Sequence, residues 1–190
     1  MHLDMDAFYA NVMINRRFPH LKDCAVVVVP AKNTNNGTSE VASANYVARA
    51  SGIRARMFVS EARKMCPNLQ VITCDCPLFE DTSARMYEQI LRYTHTVEAV
   101  SADEAYLDIT AWGFQRALNL AQRLQADVSL ATHCPCSIGI GPTKLIARLS
   151  TIRAKPSGIV ITEPAQVVDF VKSFEVPQLP GIGPGTASKL

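Results

Sequence analysis

Two acidic clusters about a hundred residues apart, Asp4-Met5-Asp6 and Asp103-Glu104, each stand at the edge of a short apolar run. A carboxylate in that place is presented at the tip of a strand rather than scattered over a solvated face. The fold is therefore constrained to bring two distant strand ends to one point. Two or three carboxylates meeting there repel one another at neutral pH, and divalent cations are the usual relief. All-oxygen ligands favour magnesium or manganese over zinc. Two such ions, about 3.5–4 Å apart, are the standard means of moving a phosphoryl or nucleotidyl group.

A chain of 190 residues with 48% hydrophobic content buries a real core, enough for one domain or one and a half. Its net charge of +2 gives no strong hint of nucleic acid. The cations are bunched, however, with Arg49, Arg54, Arg56, Arg63 and Lys64 in one region and Lys144, Arg148, Arg153 and Lys155 in another. Either bunch is a solvated helix face or an anion-binding surface. No apolar run reaches the roughly 18–20 residues of a membrane span, and no secretory leader is expected. The 6 cysteines include the C-x-C pairs 74–76 and 134–136, which lack the spacing or added histidine of zinc sites. Free thiols are the better expectation.

Along the chain, His2 to Met5 reads as a strand, with Asp6 capping a helix through about Asn15. Cys24 to Pro30 is a β-branched, buried strand, and residues 31–38 form a polar loop. Ser39 to Ser51 reads as a helix closed by Gly52, followed by a short helix near Val59–Met65 and a strand over Leu69–Thr73. Helical spacing runs from Pro77 to about His95. Val97–Ser101 and Ala105–Ile109 are strands joined at Asp103-Glu104, and a long helix follows over Phe114–Thr132. A strand over Ser137–Gly141 leads through Pro142 into a helix to about Ala154. Gly158–Thr162 is a last strand, and Glu163–Lys172 a last helix. The order predicts an α+β fold, a β-α-β-β-α-β sheet with helices on one side and a lobe inserted between residues ~11 and ~74. On such a sheet the first strand and the hairpin lie side by side, and Asp4 meets Asp103 and Glu104.

Other residues carry candidate chemistry. Phe8 and Tyr9 are either core aromatics or the wall of a nucleotide-sugar pocket that excludes a 2′-hydroxyl. Ser43, Tyr46 and Arg49 share a face of the predicted helix, which fits a polyphosphate or an ordinary surface. Lys155, held by Pro156 at a helix end, is a second phosphate-binding cation or a solvated lysine. Gly181 and Gly183 in Pro180-Gly-Ile-Gly183 form either a plain turn or one whose backbone N–H groups hold a DNA phosphate.

Taken together, these segments resemble the Y-family of translesion DNA polymerases. The resemblance rests on His2-Leu-Asp-Met-Asp-Ala-Phe-Tyr-Ala10, Ser43-Ala-Asn-Tyr-Val-Ala-Arg49 and Ser101-Ala-Asp-Glu-Ala-Tyr-Leu-Asp108. Ile138 to Ala147, Ala154-Lys-Pro-Ser-Gly158 and Leu179-Pro-Gly-Ile-Gly183 complete it. It implies a ferredoxin-like palm (1–10 and 75–161), a small fingers lobe (11–74) and the start of a helical thumb (162–190) with a helix-hairpin-helix-like turn. The resemblance makes Asp4, Asp103, Glu104 and the Met5 carbonyl the ligands of two magnesium ions, manganese substituting. Asp103 and Glu104 are then catalytic, and Asp6 is not a ligand. It places Tyr9 at a sugar gate beside Phe8. Tyr46, Arg49 and Lys155 then hold the triphosphate, with Ser43 close by.

Within that family, Ser39 to Tyr46, Met65-Cys-Pro-Asn-Leu69 and Tyr93 to Ser101 resemble the eukaryotic deoxycytidyl transferase branch, which implies a nuclear protein. Asp103-Glu-Ala-Tyr-Leu-Asp108 and Asn45-Tyr46 are similar to the DinB-type branch as well. The implied partners are primer–template DNA and a dNTP, dCTP in the transferase branch. Other translesion polymerases or a sliding clamp would be reached through regions outside this chain. The arginine and loop that choose cytosine, the rest of the thumb and the little finger are also outside it, so weak DNA grip and little independent activity are expected. A nucleotide cyclase on a similar sheet and a non-catalytic DNA-binding scaffold are the readings from other classes.

Overall fold

The structure, a computed structural model, describes residues 1–30, 37–187 and 189. Most of the expected 31–38 loop, residues 31–36, lies outside the described residues. In chain order the first elements are β1 (His2–Met5), α1 (Phe8–Arg16), β2 (Val26–Val29), β3 (Ser43–Ala44), α2 (Tyr46–Ala50), α3 (Val59–Met65) and β4 (Gln70–Thr73). Next come α4 (Cys76–Leu91), β5 (Val97–Ala99), β6 (Glu104–Leu107), α5 (Phe114–Thr132), β7 (Cys136–Ile140) and α6 (Lys144–Ala154). The last are β8 (Ile159–Ile161), α7 (Val167–Lys172) and α8 (Pro184–Ala187). Among the described residues, no helix is long and apolar enough to cross a membrane.

The chain divides into two compact units, one formed by Met1–Asp6, Glu88–Ser129 and Pro135–Leu190, the other by Ala7–Tyr87 and Leu130–Cys134. The first holds a five-stranded sheet in the order β5-β6-β1-β7-β8. β1 is central and antiparallel to both β6 and β7, while β8 returns parallel to β7 after α6. This is the expected ferredoxin-like β-α-β-β-α-β order with one strand added. Leu3, Ile138, Ile140, Ala121, Leu124 and Leu149 are fully or almost fully buried in it. Gly139 lets α6 approach the sheet: a Cβ there would stand 2.0 Å from the Ala147 carbonyl oxygen.

The second unit holds the three-stranded sheet β3-β2-β4. Its all-valine central strand β2 is buried throughout, as befits a strand covered on both faces. Its core joins Val27, Val29, Val41, Ala44, Ala48, Ile53, Val59, Ala62 and Leu69.

Two expectations are corrected. Ser39 to Ser51 is not one helix: Glu40 bridges to Phe58, Ser43 and Ala44 pair with β2, and only Tyr46–Ala50 is helical. Small residues give that stretch helix propensity, but the open edge of β2 offers it backbone partners instead. Asn45 is the true N-cap, its side chain accepting from the Ala48 N–H, and Gly52, at a φ of 86°, ends the helix as expected. Asp6 does not cap α1, whose N-cap is Ala7 in the left-handed region with no side-chain cap. Its carboxylate is taken by partners far along the chain.

Candidate active site

Strand register delivers the carboxylates. Asp4 on β1 lies opposite Glu104 on β6, and the Met5 N–H donates to the Asp103 carbonyl at 2.9 Å, so the β5–β6 turn is tied to the end of β1. Glu104 proves to begin β6 rather than sit in the turn, because its carbonyl accepts from Val100 and Ser101. Burial pushes Asp4 up to about 6, with Asp103 and Glu104 adding to the rise and Lys155 opposing it.

Each carboxylate has a partner. Lys155 Nζ donates to Asp4 Oδ1 at 2.5 Å. Ser101 Oγ donates to Asp103 Oδ1 at 2.6 Å. Glu104 Oε1 receives the Arg148 guanidinium at 2.9 Å and His2 Nε2 at 2.7 Å. His2 is 1% exposed, and burial pushes its pKa down to about 4 despite Glu104. The imidazole is thus neutral at pH 7. Its Nε2–H donates to Glu104 and its Nδ1 accepts from the Thr151 hydroxyl at 2.9 Å.

Asp6 is fully buried. It accepts from Ser137 Oγ at 2.9 Å and from the Ser157 backbone N–H at 2.7 Å. It thereby pins the α6–β8 connection, which carries Lys155, to the end of β1. Asp6 therefore positions the cation that meets Asp4 and is itself walled off from any ligand.

The second unit gathers a different set. Ser43, Ala44, Tyr46, Arg49 and Arg54 line a concavity of about 590 Å³. The Arg49 guanidinium stacks 5.0 Å from the Tyr46 ring centroid and its Nε donates to the Ala44 carbonyl at 2.8 Å. Arg54 braces the same helix end, its guanidinium donating to the carbonyls of Arg49 and Ile53 at 2.7 and 2.9 Å. Ser43 reaches this set from β3 rather than from a shared helix face, and is 7% exposed. Half-exposed Tyr9 packs against Phe8 and Phe79, with ring centroids 5.2 and 4.8 Å away. Phe8 is only 2% exposed, so it backs Tyr9 and offers a nucleotide almost no surface.

Gly181, at a φ of 88°, and Gly183 lie exposed in the turn before α8, with open space where a Cβ would stand. A larger concavity, about 680 Å³, lies at the opposite ends of β1, β6 and β7, lined by Met1, Asp108, Ile140 and Lys144 among others, and includes none of the carboxylates above.

Sequence reasoning missed His2, Thr151 and the roles of Arg148 and Arg54. One signal was available. Lys144, Arg148, Thr151 and Lys155 recur every three or four residues and so form one stripe along α6. His2 carried none, since its partners lie more than a hundred residues away.

Among the described residues, no three His, Cys, Asp or Glu side chains are gathered closely enough to hold a metal ion together. The donor set nevertheless suits hard cations. Asp4, Asp103 and Glu104 are oxygen donors at neighbouring ladder positions, and Lys155 and Arg148 now supply the positive charge that these carboxylates draw.

Comparison with known proteins gives one family. Residues 3–152 match the model of the impB/mucB/samB family. The DNA repair protein REV1 of Arabidopsis thaliana is 36% identical over the whole chain, which spans 17% of that protein. DNA polymerase IV of Colwellia psychrerythraea is 34% identical, again over the whole chain and 53% of that protein. The insertion ternary complex of Dbh DNA polymerase superposes on all of the chain with a TM-score of 0.92 at 28% identity, over 56% of its own length. The chain thus spans about half of the DNA polymerase IV relative and about a sixth of the REV1 relative.

Proposed function

Because this chain belongs to the impB/mucB/samB family, the Y-family of DNA polymerases, we propose that it carries the nucleotidyl-transfer centre of a translesion DNA polymerase. The observation that carries this reading is the register of Asp4 against Glu104, with Asp103 tied to Met5 beside them. In the reaction a primer 3′-oxygen attacks the α-phosphate of a dNTP, a new P–O bond forms, and the bond to the leaving pyrophosphate breaks. Asp4, Asp103, Glu104 and the Met5 carbonyl are the proposed ligands of two magnesium ions, manganese substituting, which when bound lower the pKa of the attacking hydroxyl and neutralise the leaving phosphates.

The chain's own residues do the rest. Lys155 exchanges its carboxylate partner for a phosphate oxygen of the nucleotide, and Tyr46 and Arg49 hold further phosphate oxygens. Tyr9, backed by Phe8 and Phe79, closes the space that a ribose 2′-hydroxyl would need. The Gly181–Gly183 turn holds a DNA phosphate through its backbone N–H groups. Residues 1–10 and 75–161 are the palm, 11–74 the fingers, and 162–190 the start of a thumb.

Primer extension tests the reading, with the chain alone and with it joined to the DNA-gripping half of a DNA polymerase IV relative. Metal-dependent incorporation supports it. Primer binding without incorporation in either form would instead leave a DNA-binding scaffold.

The finer reading is dCMP insertion in DNA damage tolerance in the nucleus. It is supported by the likeness of Ser39–Tyr46 and Tyr93–Ser101 to the transferase branch. The REV1 and DNA polymerase IV relatives, 36% and 34% identical, do not separate it from template-directed bypass. Offering each dNTP opposite each template base does: dCTP preference regardless of template supports transfer, and faithful pairing overturns it.

A further inference from the structure

His2 stands on β1 two residues before Asp4, so the two side chains fall on the same face of the sheet. Its register partners are Tyr106 on β6 and Gly139 on β7. Glu104, two residues along β6 from Tyr106, is then its diagonal neighbour, within reach of a long side chain. Tyr106 lies against the imidazole, with ring centroids 4.6 Å apart. Gly139 leaves room for Thr151: a Cβ there would stand 2.5 Å from Thr151 Oγ1, the hydroxyl that α6 brings within 2.9 Å of His2 Nδ1. The same hydroxyl reaches the Ala147 and His2 carbonyls at 3.1 and 3.2 Å, which fixes its place. Held on these sides, the ring aims Nε2 at Glu104 Oε1, 2.7 Å away. An ionised carboxylate only accepts, so Nε2 carries the hydrogen.

Glu104 Oε1 also receives Arg148, but the two donors differ in kind. The Arg148 side chain is 39% exposed and that of His2 is 1% exposed. The terminal torsion of a glutamate is broad, so a carboxylate that nothing holds samples many orientations at little cost. A solvent-facing arginine can follow the carboxylate as it turns. A packed imidazole cannot.

We propose that His2 is a positioning residue of the nucleotidyl-transfer centre: its Nε2–H, braced by Thr151 and Tyr106, fixes the carboxylate of Glu104 and so raises the affinity of the site for a divalent cation. The inference rests on the reading of Asp4, Asp103 and Glu104 as metal ligands. A ligand oriented before the ion arrives loses less freedom on binding it, and hydrogen bonds behind a ligand set its direction and basicity. His2 itself touches neither ion nor nucleotide; it acts through Glu104. A histidine that merely fills the sheet would contribute to stability and leave metal affinity alone.

Titration of the whole chain with Mn²⁺, read from the EPR signal of the free ion, tests this without turnover. His2→Phe keeps a ring against Tyr106 and removes the donor, and Mn²⁺ affinity should fall about tenfold. His2→Gln returns a neutral N–H donor and should recover most of that loss. A purely structural histidine would give no such order, since the aromatic replacement packs better than the amide. Equal affinity in the parent and His2→Phe, or no recovery in His2→Gln, overturns the positioning role. If urea unfolding shows that His2→Phe does not fold, Thr151→Val carries the test: it strips the hydroxyl from Nδ1 and should weaken Mn²⁺ binding about threefold, and parental affinity overturns the role. Asp103→Ala separates this inference from the reading beneath it. If Asp103→Ala loses Mn²⁺ binding while the His2 variants keep it, the metal site stands and the positioning role alone falls. If Asp103→Ala binds Mn²⁺ like the parent, the metal-ligand reading falls and takes the inference with it.

Discussion

The two units hold their functional groups in opposite ways. In the first, every candidate carboxylate is set by strand register and by a charged or hydroxyl partner: Asp4 by Lys155, Asp103 by Ser101, Glu104 by His2 and Arg148. In the second, Tyr46 and Arg49 stand half-exposed on a helix of 5 residues beside a strand of 2, the Arg49 guanidinium held by the Ala44 carbonyl and stacked on the Tyr46 ring. The first arrangement is pre-organised by the same network that folds it, so chemistry and stability are entangled there. The second rests on shorter elements and stands closer to solvent. Substitutions should therefore separate the two units by which observable moves.

The largest effect is expected at Asp103. It sits at a turn where, among the described residues, Ser101 donates to its side chain, so Asp103→Ala should cost about a thousandfold or more in nucleotide incorporation and leave the urea midpoint nearly unchanged. Incorporation that survives would remove the carboxylates from the chemistry. Asp6→Ala should show the opposite profile. It leaves the fully buried Ser137 hydroxyl and the part-buried Ser157 N–H without their carboxylate partner, a loss of about 3 kcal/mol in urea unfolding. An unchanged midpoint would mean that Asp6 holds nothing.

In the second unit, Arg49→Ala should raise the apparent KM for dNTP about thirtyfold, the loss of about 2 kcal/mol of charge-assisted phosphate contact, with kcat and the urea midpoint far less affected. A fall in kcat alone would move Arg49 out of ground-state binding. Tyr9→Ala should raise ribonucleotide incorporation about tenfold. Unchanged sugar discrimination would refute the gate.

What could be read from the sequence follows the same division. The carboxylate strands were legible because β1 and β6 are short apolar runs with the acid at one edge, and register does the rest. Helix α5 was legible end to end because its apolar period holds over 19 residues. Ser39–Ser51 was misread because local propensity favoured a helix, while the choice was made by pairing of Ser43 and Ala44 with β2. The Asn45 cap was present in the sequence but hidden by that choice. Asp6 was misread for a similar reason. A carboxylate just before a helix is the ordinary sign of a cap, and the partners that claimed it are 131 and 151 positions away. Local patterns carried the framework, and distant partners decided the polar residues.

The smallest effect is also the one that probes the entanglement of the first unit most directly. Asp4 has its folded pKa raised from 3.8 to about 6. Between those values the folded state holds a proton that the unfolded chain has lost, so this group's contribution to stability falls as pH rises through the window. His2 has its folded pKa lowered from 6.5 to about 4. Between those values the unfolded chain holds the extra proton, and its contribution rises with pH. The two slopes oppose each other over nearly the same range, so these groups together leave parental stability nearly flat between about pH 4 and 6. Asp4→Asn should uncover the rising slope and His2→Gln the falling one, each changing the net trend by on the order of 1–2 kcal/mol across the window. Urea unfolding at closely spaced pH values reads this directly. If Asp4→Asn leaves the trend flat, burial does not hold the His2 imidazole neutral against the pull of Glu104, and the first unit is less pre-organised than its hydrogen bonds imply.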